Sequence, residues 1–256
     1  MQLKGKTTVV TGGAAGIGQE IARRLAKEGA RVISLDWTGD ANQETAAAIC
    51  ASGGECIAVQ GDVSVAADVQ RAFEIAGPVD ILVNNAAYSQ GDGFLLDIAE
   101  DTWDKIQAVC LKSVYLCSRA ALPSMVQRKS GSIINISSVN ALAGIHLAAY
   151  TAAKGGIISL TRVLAAQYGG SGIRINAICP GTILSESSRV HYEARPEVTA
   201  ELKALYPARA FGATGDIAAA VLFLASDQAS FINGASIPID GGLSAVRQLP
   251  SLAQKS

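Results

Sequence analysis

The chain carries a hydroxyl, a phenol and an ammonium group within one short stretch, at Ser138, Tyr150 and Lys154. Tyr150 and Lys154 are four residues apart, a spacing that places two side chains on one face of a helix. The surrounding alanines, such as Ala148 and Ala152, favour a helix. A phenol is a poor base at neutral pH, but a neighbouring ammonium group lowers its pKa. These residues therefore suit proton transfer, although a tyrosine and a lysine at this spacing also occur as a helix-surface pair.

The composition indicates a globular protein without a strong charge imbalance. The chain has 256 residues, 49% of them hydrophobic, and a formal net charge of −1. This length suits one large α/β domain, and we interpret residues 1–256 as a single domain. Balanced charge argues against a nucleic-acid-binding surface, which requires a basic patch. The most apolar run near the end, 218–225, is too short to span a membrane.

The cysteines and histidines form no metal-binding or disulfide pattern. An odd number of scattered cysteines without a C-x-x-C pair favours reduced thiols, so we expect a cytoplasmic protein. The start of the chain lacks the apolar core of a signal peptide. His146 and His191 lie far apart without other ligands, so we expect no metal site. The cysteines are Cys50, Cys56, Cys110, Cys117 and Cys179.

Strand and helix patterns alternate along the chain, which predicts parallel strands joined by helices on both faces of a doubly wound sheet. We expect strands at 7–11, 31–35, 55–60, 79–83, 132–137, 173–179 and 236–239. We expect helices at 16–28, 45–52, 65–76, 101–128, 149–168 and 214–226. Ligands bind beyond the carboxyl ends of such strands. The residues that fall at these ends are Gly12, Asp36, Asn84, Ser138 and Pro180.

A glycine-rich turn joins the first strand to the first helix. Gly12, Gly16 and Gly18 form the pattern G-x-x-x-G-x-G, with Ala15 and Ile17 inside the same turn. Such a turn lets the backbone approach a pyrophosphate and directs a helix N-terminus at the negative charge. Glycines also serve ordinary turns, but the strand–turn–helix context favours dinucleotide binding.

Asp36 closes the second strand, where a carboxylate can accept hydrogen bonds from both hydroxyls of an adenosine ribose and would repel a 2′-phosphate. Positions 14, 15, 37 and 38 carry no Arg or Lys to receive that phosphate. The sequence therefore favours NAD over NADP, although Asp36 has an alternative interpretation as a cap of the strand end. Trp37 borders this site. Asp62 and Val63 can flank the adenine, unless Asp62 only starts a turn.

Five motifs in order give the chain a resemblance to a known family. The motifs are T-G-x-x-x-G-x-G at 11–18, N-N-A-A at 84–87, I-S-S at 136–138, Y-x-x-x-K at 150–154 and P-G at 180–181. Together they resemble the short-chain dehydrogenase/reductase family over nearly the whole chain. The resemblance implies one dinucleotide-binding and catalytic domain with a Rossmann-like sheet of about seven parallel strands. It also implies a nicotinamide cofactor and hydride transfer between a secondary alcohol and its ketone.

The resemblance also implies roles for individual residues. Ser138 would hold the substrate oxygen, Tyr150 would be the general acid/base, and Lys154 would bind the nicotinamide ribose and lower the Tyr150 pKa. We prefer Ser138 to Ser137 because alternation along a strand puts only one of them on the site side. The other implied cofactor contacts are Asn84, Ala86, Pro180, Gly181 and Ile183.

One position departs from the family pattern. Cys110 stands where the family usually has an asparagine that is thought to organise a proton-relay water. A thiol cannot reproduce the hydrogen bonds of an amide. We hypothesise that backbone carbonyls hold this water instead; the alternative is that Cys110 is a packed core residue.

Residues 184–211 are polar and carry no strand pattern, and we expect them to form a mobile lid over the substrate. The tail at 248–256 is expected to fray. A candidate substrate contact in the lid also has an alternative interpretation, as part of a solvated surface. For any single lid residue, this alternative is favoured. The candidates are Tyr88, His146, His191 and Tyr192, with Ser89, Leu147, Arg189 and Arg195 nearby.

We therefore predict an NAD-dependent oxidoreductase that acts on a sugar, a polyol or another small secondary alcohol. A 3-oxoacyl thioester reductase using NAD(P)H and an NAD-sensing regulatory protein without turnover remain as alternatives. The helices at 101–128 and 149–168 could pair across symmetry axes, as they do in the family, which implies a homotetramer. Neither nucleic acid nor membrane is an expected partner.

Overall fold

The computed structural model describes residues 1–144 and 146–245 of the chain. Nine strands are assigned in this part: β1 (Thr7–Thr11), β2 (Arg31–Asp36), β3 (Glu55–Gln60), β4 (Ile81–Asn84), β5 (Gly131–Ile136), β6 (Ile173–Pro180), β7 (Ile183–Leu184), β8 (Gly212–Ala213) and β9 (Ser236–Ile239). Nine α-helices accompany them: α1 (Gly16–Lys27), α2 (Gly39–Ala51), α3 (Ala66–Ala76), α4 (Glu100–Gln107), α5 (Ser113–Arg128), α6 (Ala148–Tyr168), α7 (Glu186–Glu193), α8 (Pro196–Ala204) and α9 (Thr214–Ala225).

Seven of the strands form one parallel sheet in the order β3-β2-β1-β4-β5-β6-β9. Thr8 in β1 lies opposite Val32 of β2 on one side and Ile81 of β4 on the other. The order reverses between β1 and β4, which is where ligands bind in sheets of this type. The predicted fold class, a doubly wound Rossmann-like sheet, is confirmed.

Each face of the sheet is covered by its own apolar core, which is why successive residues of the central strands are buried on both faces. Val10 belongs to the core that contains Ile21 of α1 and Val221 of α9. Its neighbour Val9 belongs to the core that contains Phe73 of α3. Because consecutive strand residues point to opposite faces, both faces draw on the same short sequence.

Helix α1 follows the predicted apolar pattern closely. Ile21 and Leu25 are fully buried, and Ile17 packs against the same core. Full burial of each of these side chains stabilises the fold by about 1.5–3 kcal/mol. Gly29 follows the helix with a φ of +90°, a conformation that ends a helix at little cost only for glycine.

Helix α2 and strand β4 begin two or more residues away from the predicted positions. Helix α2 begins at Gly39 rather than at residue 45. Its first turns look exposed in sequence, yet Asn42 is fully buried and its amide donates to the carbonyls of Ser34 (2.8 Å) and Val59 (3.2 Å). Strand β4 spans Ile81–Asn84 rather than 79–83. The Asp80 carboxylate accepts from the Thr7 amide at 2.9 Å. The first amide of β1 is therefore bound by the side chain of the residue that precedes β4.

The long helix predicted at 101–128 is interrupted. A π-helical turn, Ala108–Lys112, separates α4 from α5. One extra residue per turn leaves the apolar pattern on both sides nearly intact, so hydrophobic spacing alone gives no sign of it. Such turns are frequent at functional sites.

The segment 184–211, expected only as a polar lid, contains helices α7 and α8. Short strands flank it: Ile183 pairs with Gly212 and Leu184 with Ala213. The expectation of no strand in this region is therefore wrong at Leu184. Leu184 belongs to β7 because it pairs with Ala213, which is distant in sequence. The tail at 248–256 lies outside the described residues.

The five cysteines are free thiols, as expected. Burial raises the pKa of the Cys117 thiol to about 12, and burial, together with the charge of Cys50, raises that of Cys56 to about 12. Within residues 1–144 and 146–245, no helix has the length and apolar character needed to cross a membrane. The same residues contain no group of three or more side chains that could hold a metal ion.

Candidate active site

A cavity of about 430 Å³ opens at the carboxyl ends of the central strands. It gathers most of the predicted site residues from six separate stretches of the chain. The predicted residues that line it are Gly12, Ala15, Gly16, Ile17, Gly18, Asp36, Trp37, Ala86, Ser138, Tyr150, Lys154, Pro180, Gly181 and Ile183. Parallel strands end at the same edge of the sheet, which explains the convergence of the strand-end residues, while helix α6 contributes Tyr150 and Lys154.

Helix α6 places the phenol and the ammonium group together. Lys154 is only 1% exposed, and its Nζ donates to the Ile136 carbonyl at 2.7 Å. The same Nζ lies 5.3 Å from the centroid of the Tyr150 ring. Tyr150 is half-buried at the cavity wall. A buried cation beside a phenol is favourable for negative charge on the phenol oxygen.

The two serines after β5 have different partners. The Ser137 hydroxyl donates to the Lys154 carbonyl at 2.8 Å, and this hydrogen bond joins α6 to the end of β5. The Ser138 hydroxyl donates to the Asn140 side-chain oxygen and accepts from the Asn140 backbone amide, both at 3.2 Å. Both serines line the cavity. The Ser138 bonds are longer and stay within its own turn, so its hydroxyl is the easier of the two to redirect toward a substrate.

The glycine-rich turn approaches the rest of the molecule too closely for side chains. A Cβ on Gly12 would lie 2.9 Å from the Ala86 Cα, and one on Gly18 would collide with the Gly12 carbonyl. Gly12 and Gly16 also have positive φ values of +69° and +59°. The first turn of α1 has no side-chain cap and no acidic residue. The turn therefore fits the pyrophosphate of a dinucleotide, which needs close backbone approach and a positive helix end.

Asp36 holds the start of the nucleotide site by hydrogen bonds to the backbone. Its carboxylate accepts from the Ala14 amide at 3.1 Å and from the Thr38 amide at 2.9 Å. A carboxylate has about four acceptor positions, so two such bonds leave capacity for ribose hydroxyls. Capping the strand end and binding a ribose are therefore compatible roles.

A second, narrower cavity of about 80 Å³ adjoins Asp36 and is lined by Trp37, Asp62 and Val63. Its apolar walls fit a flat ring such as adenine. The Asp62 carboxylate also accepts from the Ser64 amide at 2.8 Å. Asp62 therefore starts a turn, as the alternative interpretation held, and it also borders the cavity.

Tyr88 packs between Trp37 and the cluster that contains Cys110. Its ring packs edge-on against Trp37, with the centroids 6.0 Å apart, and the Lys105 ammonium lies 4.4 Å from the Tyr88 centroid. Tyr88 is not among the residues that line the cavity with Ser138. The prediction that Tyr88 edges the substrate pocket is therefore not supported by its position.

Asn84, predicted to line the cofactor, instead turns its side chain into the core. Its amide donates to the Asn135 side chain at 2.8 Å. The cavity is lined by the next residue, Asn85, whose amide donates to the carbonyls of Thr11 (2.9 Å) and Gly12 (3.1 Å). Alternation along the strand explains why Asn85 lines the cavity and Asn84 does not, since two successive side chains cannot face the same side.

Two residues outside the predicted set, Ser185 after β7 and Tyr206 after α8, contact the cavity or the turn after β6. Ser185 lines the cavity, and its Cβ would lie 3.6 Å from a Cβ on Gly16, so it faces the glycine-rich turn. Ser185 is the N-cap of α7, a position that favours serine. Ser188 stands where the capping-box signature has Glu or Gln, so the sequence signal for this cap is weak. Tyr206 accepts a hydrogen bond from the Thr182 amide at 2.9 Å and donates to the Thr182 hydroxyl at 2.8 Å. No local pattern indicates that contact.

The other substrate candidates are not gathered around Tyr150. His146 is exposed and is not among the residues that line the catalytic cavity. Tyr192 packs on Phe211, with centroids 4.9 Å apart, and lines a separate cavity of about 630 Å³ beside α7 and α8, together with Arg189. The side chain of His191 lies outside the described part of the structure.

Cys110 lies in the π-helical turn and is fully buried. Its Sγ accepts from the Tyr88 amide and donates to the Tyr88 carbonyl, both at 3.3 Å. It also packs with Ile106 and Ala153. Cys110 is thus a core residue that binds a backbone segment of the site, and the proposed relay water stays a hypothesis.

Comparison with known proteins identifies the family. A family model described as enoyl-(acyl carrier protein) reductase (adh_short_C2) matches residues 12–244. An oxidoreductase of known structure from Burkholderia thailandensis, named as a short-chain dehydrogenase/reductase, superposes with a TM-score of 0.90 at 35% identity, with 98% of each chain covered. The chain belongs to the short-chain dehydrogenase/reductase family.

Several relatives in this family are named as dehydrogenases, one of them as inactive. 2-(S)-hydroxypropyl-CoM dehydrogenase 3 of Xanthobacter autotrophicus is 42% identical, covering 96% of this chain and 99% of the relative. Meso-2,3-butanediol dehydrogenase of Serratia marcescens is 38% identical, covering 98% and 100%. An inactive 2-(S)-hydroxypropyl-CoM dehydrogenase 2, also of X. autotrophicus, is 40% identical, covering 88% and 100%.

A solved structure from Agrobacterium tumefaciens, provisionally named a 2-deoxy-D-gluconate 3-dehydrogenase, contains bound NADP. It superposes with a TM-score of 0.88 at 32% identity, covering 96% of this chain and 98% of that one. Together with the family assignment, these comparisons make this short-chain dehydrogenase/reductase an NAD(P)-dependent oxidoreductase that acts on CH–OH groups and interconverts alcohols and ketones.

Removal of the Tyr206 hydroxyl tests the contact that holds the turn after β6. Tyr206→Phe leaves the Thr182 amide without its partner, which costs about 1–3 kcal/mol for a buried group. We expect urea denaturation to show a loss of this size, with weaker cofactor binding. Tyr168→Phe, which removes a hydroxyl at the end of α6, serves as the control and should change neither quantity. Unchanged stability in Tyr206→Phe would contradict the assignment.

Proposed function

We propose that this enzyme oxidises a small secondary alcohol, such as a sugar or polyol, with NAD as its cofactor. The arrangement that supports this proposal is the buried Lys154 beside Tyr150, in the same cavity as the glycine-rich turn and Asp36. This arrangement combines a group for proton transfer with a place for a dinucleotide. Both are needed for alcohol oxidation.

The proposed mechanism assigns each step on the protein to a named atom. When bound, the nicotinamide cofactor supplies the hydride acceptor. The Ser138 hydroxyl holds the substrate oxygen, and the Tyr150 phenol oxygen removes the proton from the substrate hydroxyl. The Lys154 ammonium group, 5.3 Å from the Tyr150 centroid, stabilises the negative charge on the phenol oxygen. In ketone reduction the same groups act in the opposite direction.

Selection of NAD over NADP is proposed to depend on Asp36. Its carboxylate lies at the end of β2, and the neighbouring positions are Ala14, Ala15, Trp37 and Thr38, none of which is cationic. A 2′-phosphate placed here would meet negative charge without a compensating cation. The NADP in the Agrobacterium structure shows that a closely similar fold can hold the phosphorylated cofactor. The residues around position 36 would therefore determine the preference.

The substrate class is proposed from the relatives and from the segment that borders the site. Relatives named for butanediol and for a hydroxypropyl compound support a small secondary alcohol. Helices α7 and α8, within 184–211, are proposed to act as the lid. The alternative of a 3-oxoacyl thioester reductase shares with the description of the matching family model, enoyl-(acyl carrier protein) reductase, an acyl thioester substrate but not the reacting group. The absence of a nucleic-acid partner stays a prediction.

A panel of sugars, polyols and other small secondary alcohols, assayed by absorbance at the NADH band, tests the activity and the cofactor together. We expect reduction of NAD with at least one of them and much slower reduction of NADP. Asp36→Asn should raise kcat/KM for NADP relative to NAD by at least about tenfold, which corresponds to about 1.4 kcal/mol. Equal use of both cofactors by the unaltered enzyme would contradict the proposed role of Asp36. Reduction only of 3-oxoacyl thioesters with NADPH would favour the alternative.

Tyr150→Phe separates an enzyme from an NAD-sensing protein without turnover, an alternative made relevant by the inactive relative. Loss of the phenol oxygen removes the acid/base group, so kcat should fall by about 10²–10⁴-fold. NADH affinity, measured by fluorescence titration, should stay within twofold. Tyr168→Phe is again the matched control. Full activity in Tyr150→Phe would overturn the mechanism.

A homotetramer in the cytoplasm is proposed for this enzyme. Between α5 and α6 lies a largely apolar groove of about 400 Å³, lined by Tyr115, Leu122, Val126 and Leu164, where a second copy could pack. Free cysteines, four of them buried, support a reducing compartment. Sedimentation analysis is expected to give four times the 26.3 kDa chain mass; a monomer would contradict the assembly.

A further inference from the structure

The helix that carries Tyr150 begins without a capping side chain of its own. Helix α6 starts at Ala148, and Leu147 at its N-cap has no side-chain hydrogen bond to the helix and a φ of +86°. The first amides of a helix have no partners within the helix and must find them elsewhere. Tyr150 lies in this first turn, so its position depends on what satisfies those amides.

The partners come from the loop after β4, far away in sequence. The Asp92 carboxylate accepts from the Ala149 amide at 3.2 Å and from the Tyr150 amide at 2.8 Å. The Gly93 carbonyl accepts from the Ala148 amide at 3.1 Å. Two adjacent residues therefore bind three successive amides of α6, including the amide of Tyr150 itself. The negative carboxylate also suits the positive end of the helix.

The loop that carries Asp92 is itself fixed. Asp92 accepts from the Gly93 amide at 2.9 Å, and its own amide donates to the Ser89 carbonyl at 3.2 Å. One residue earlier in the chain, both backbone groups of Tyr88 are bound by the Cys110 sulfur at 3.3 Å. The cap is therefore held against the π-helical turn and is not a free side chain.

Lys154 is held independently of this cap. It lies one turn further along α6, and its Nζ donates to the Ile136 carbonyl at the end of β5. Loss of the cap would loosen the first turn while leaving Lys154 in place. The quantity that changes is then the position of the Tyr150 phenol relative to Lys154 and Ser138.

We propose that Asp92 is a positioning residue for Tyr150, acting through the first turn of α6. This inference rests on the proposed role of Tyr150 as the acid/base group. It assigns a catalytic consequence to a residue that touches neither the cofactor turn nor the phenol. Its effect should appear in kcat and not in cofactor affinity, because the glycine-rich turn and Asp36 do not depend on it.

The test compares Asp92→Ala, Asp92→Asn and Asp97→Ala. Asp97 is an exposed carboxylate further along the same loop and serves as the matched control. Asp92→Ala should lower kcat by about tenfold to a hundredfold, the range for a catalytic group displaced by up to about 1 Å. Asp92→Asn keeps one accepting oxygen and should recover part of the loss. NADH affinity should stay within twofold in all three, and Asp97→Ala should behave as the unaltered enzyme.

Amide hydrogen exchange gives a readout that does not require activity. Exchange of the Ala149 and Tyr150 amides should become faster in Asp92→Ala than in Asp97→Ala, with no change further along α6. Should Asp92→Ala fail to fold, Asp92→Asn decides by the same two measurements. The inference is overturned if both Asp92 variants keep kcat within twofold, if NADH affinity falls in parallel with kcat, or if exchange is unchanged.

Failure of this inference is distinguishable from failure of the proposed function. If the unaltered enzyme oxidises no alcohol, or if Tyr150→Phe is fully active, the proposed function is wrong, while exchange still reports on the cap. If the unaltered enzyme is active, Tyr150→Phe is inactive and Asp92→Ala is fully active, only the role of Asp92 is wrong.

Discussion

The site depends on one buried positive charge. Lys154 is almost entirely shielded from water, and within the described part of the chain its Nζ is bound by a backbone carbonyl and by no carboxylate. Burial of a charge is costly unless polar groups surround it. A carboxylate partner would neutralise the field at the phenol, whereas the Ile136 carbonyl solvates the ammonium group and leaves its charge effective. The Ser137 hydroxyl, bound to the Lys154 carbonyl, holds the same residue from its backbone side.

The loop after β4 connects parts of the site that the sheet alone would only bring near one another. Asn85 binds the carbonyls of the glycine-rich turn, Tyr88 is bound by Cys110, and Asp92 binds the start of α6. The glycine-rich turn, the π-helical turn and the start of α6 are thus all bound to one stretch of eight residues, 85–92. Each of the three contacts uses its own residue of the stretch, so each segment is held by separate hydrogen bonds.

The parts of the fold and site that follow from local pattern were predictable. The glycine-rich turn, Asp36 at a strand end and the spacing of Tyr150 and Lys154 each depend on a few neighbouring residues. Features that depend on distant partners were not. Asn42 resembles a surface residue in the sequence, but its amide binds the distant carbonyls of Ser34 and Val59. Strand alternation places Asn85, and not the predicted Asn84, at the cavity. The π-helical turn and the cap by Asp92 leave no mark on hydrophobic spacing.

The aromatic contact at the adenine end has an optical consequence. Trp37 is 48% exposed, borders the narrow cavity and packs edge-on against Tyr88, with the Lys105 ammonium 5.7 Å from the centroid of its ring. The other tryptophan of the chain, Trp103, packs with Ile106 and Cys110 in a cluster that Tyr88 also contacts. Indole emission depends on local polarity and on nearby charge. Entry of a ring into the cavity would therefore alter the surroundings of Trp37 directly, which gives the molecule a built-in spectroscopic reporter of nucleotide occupancy.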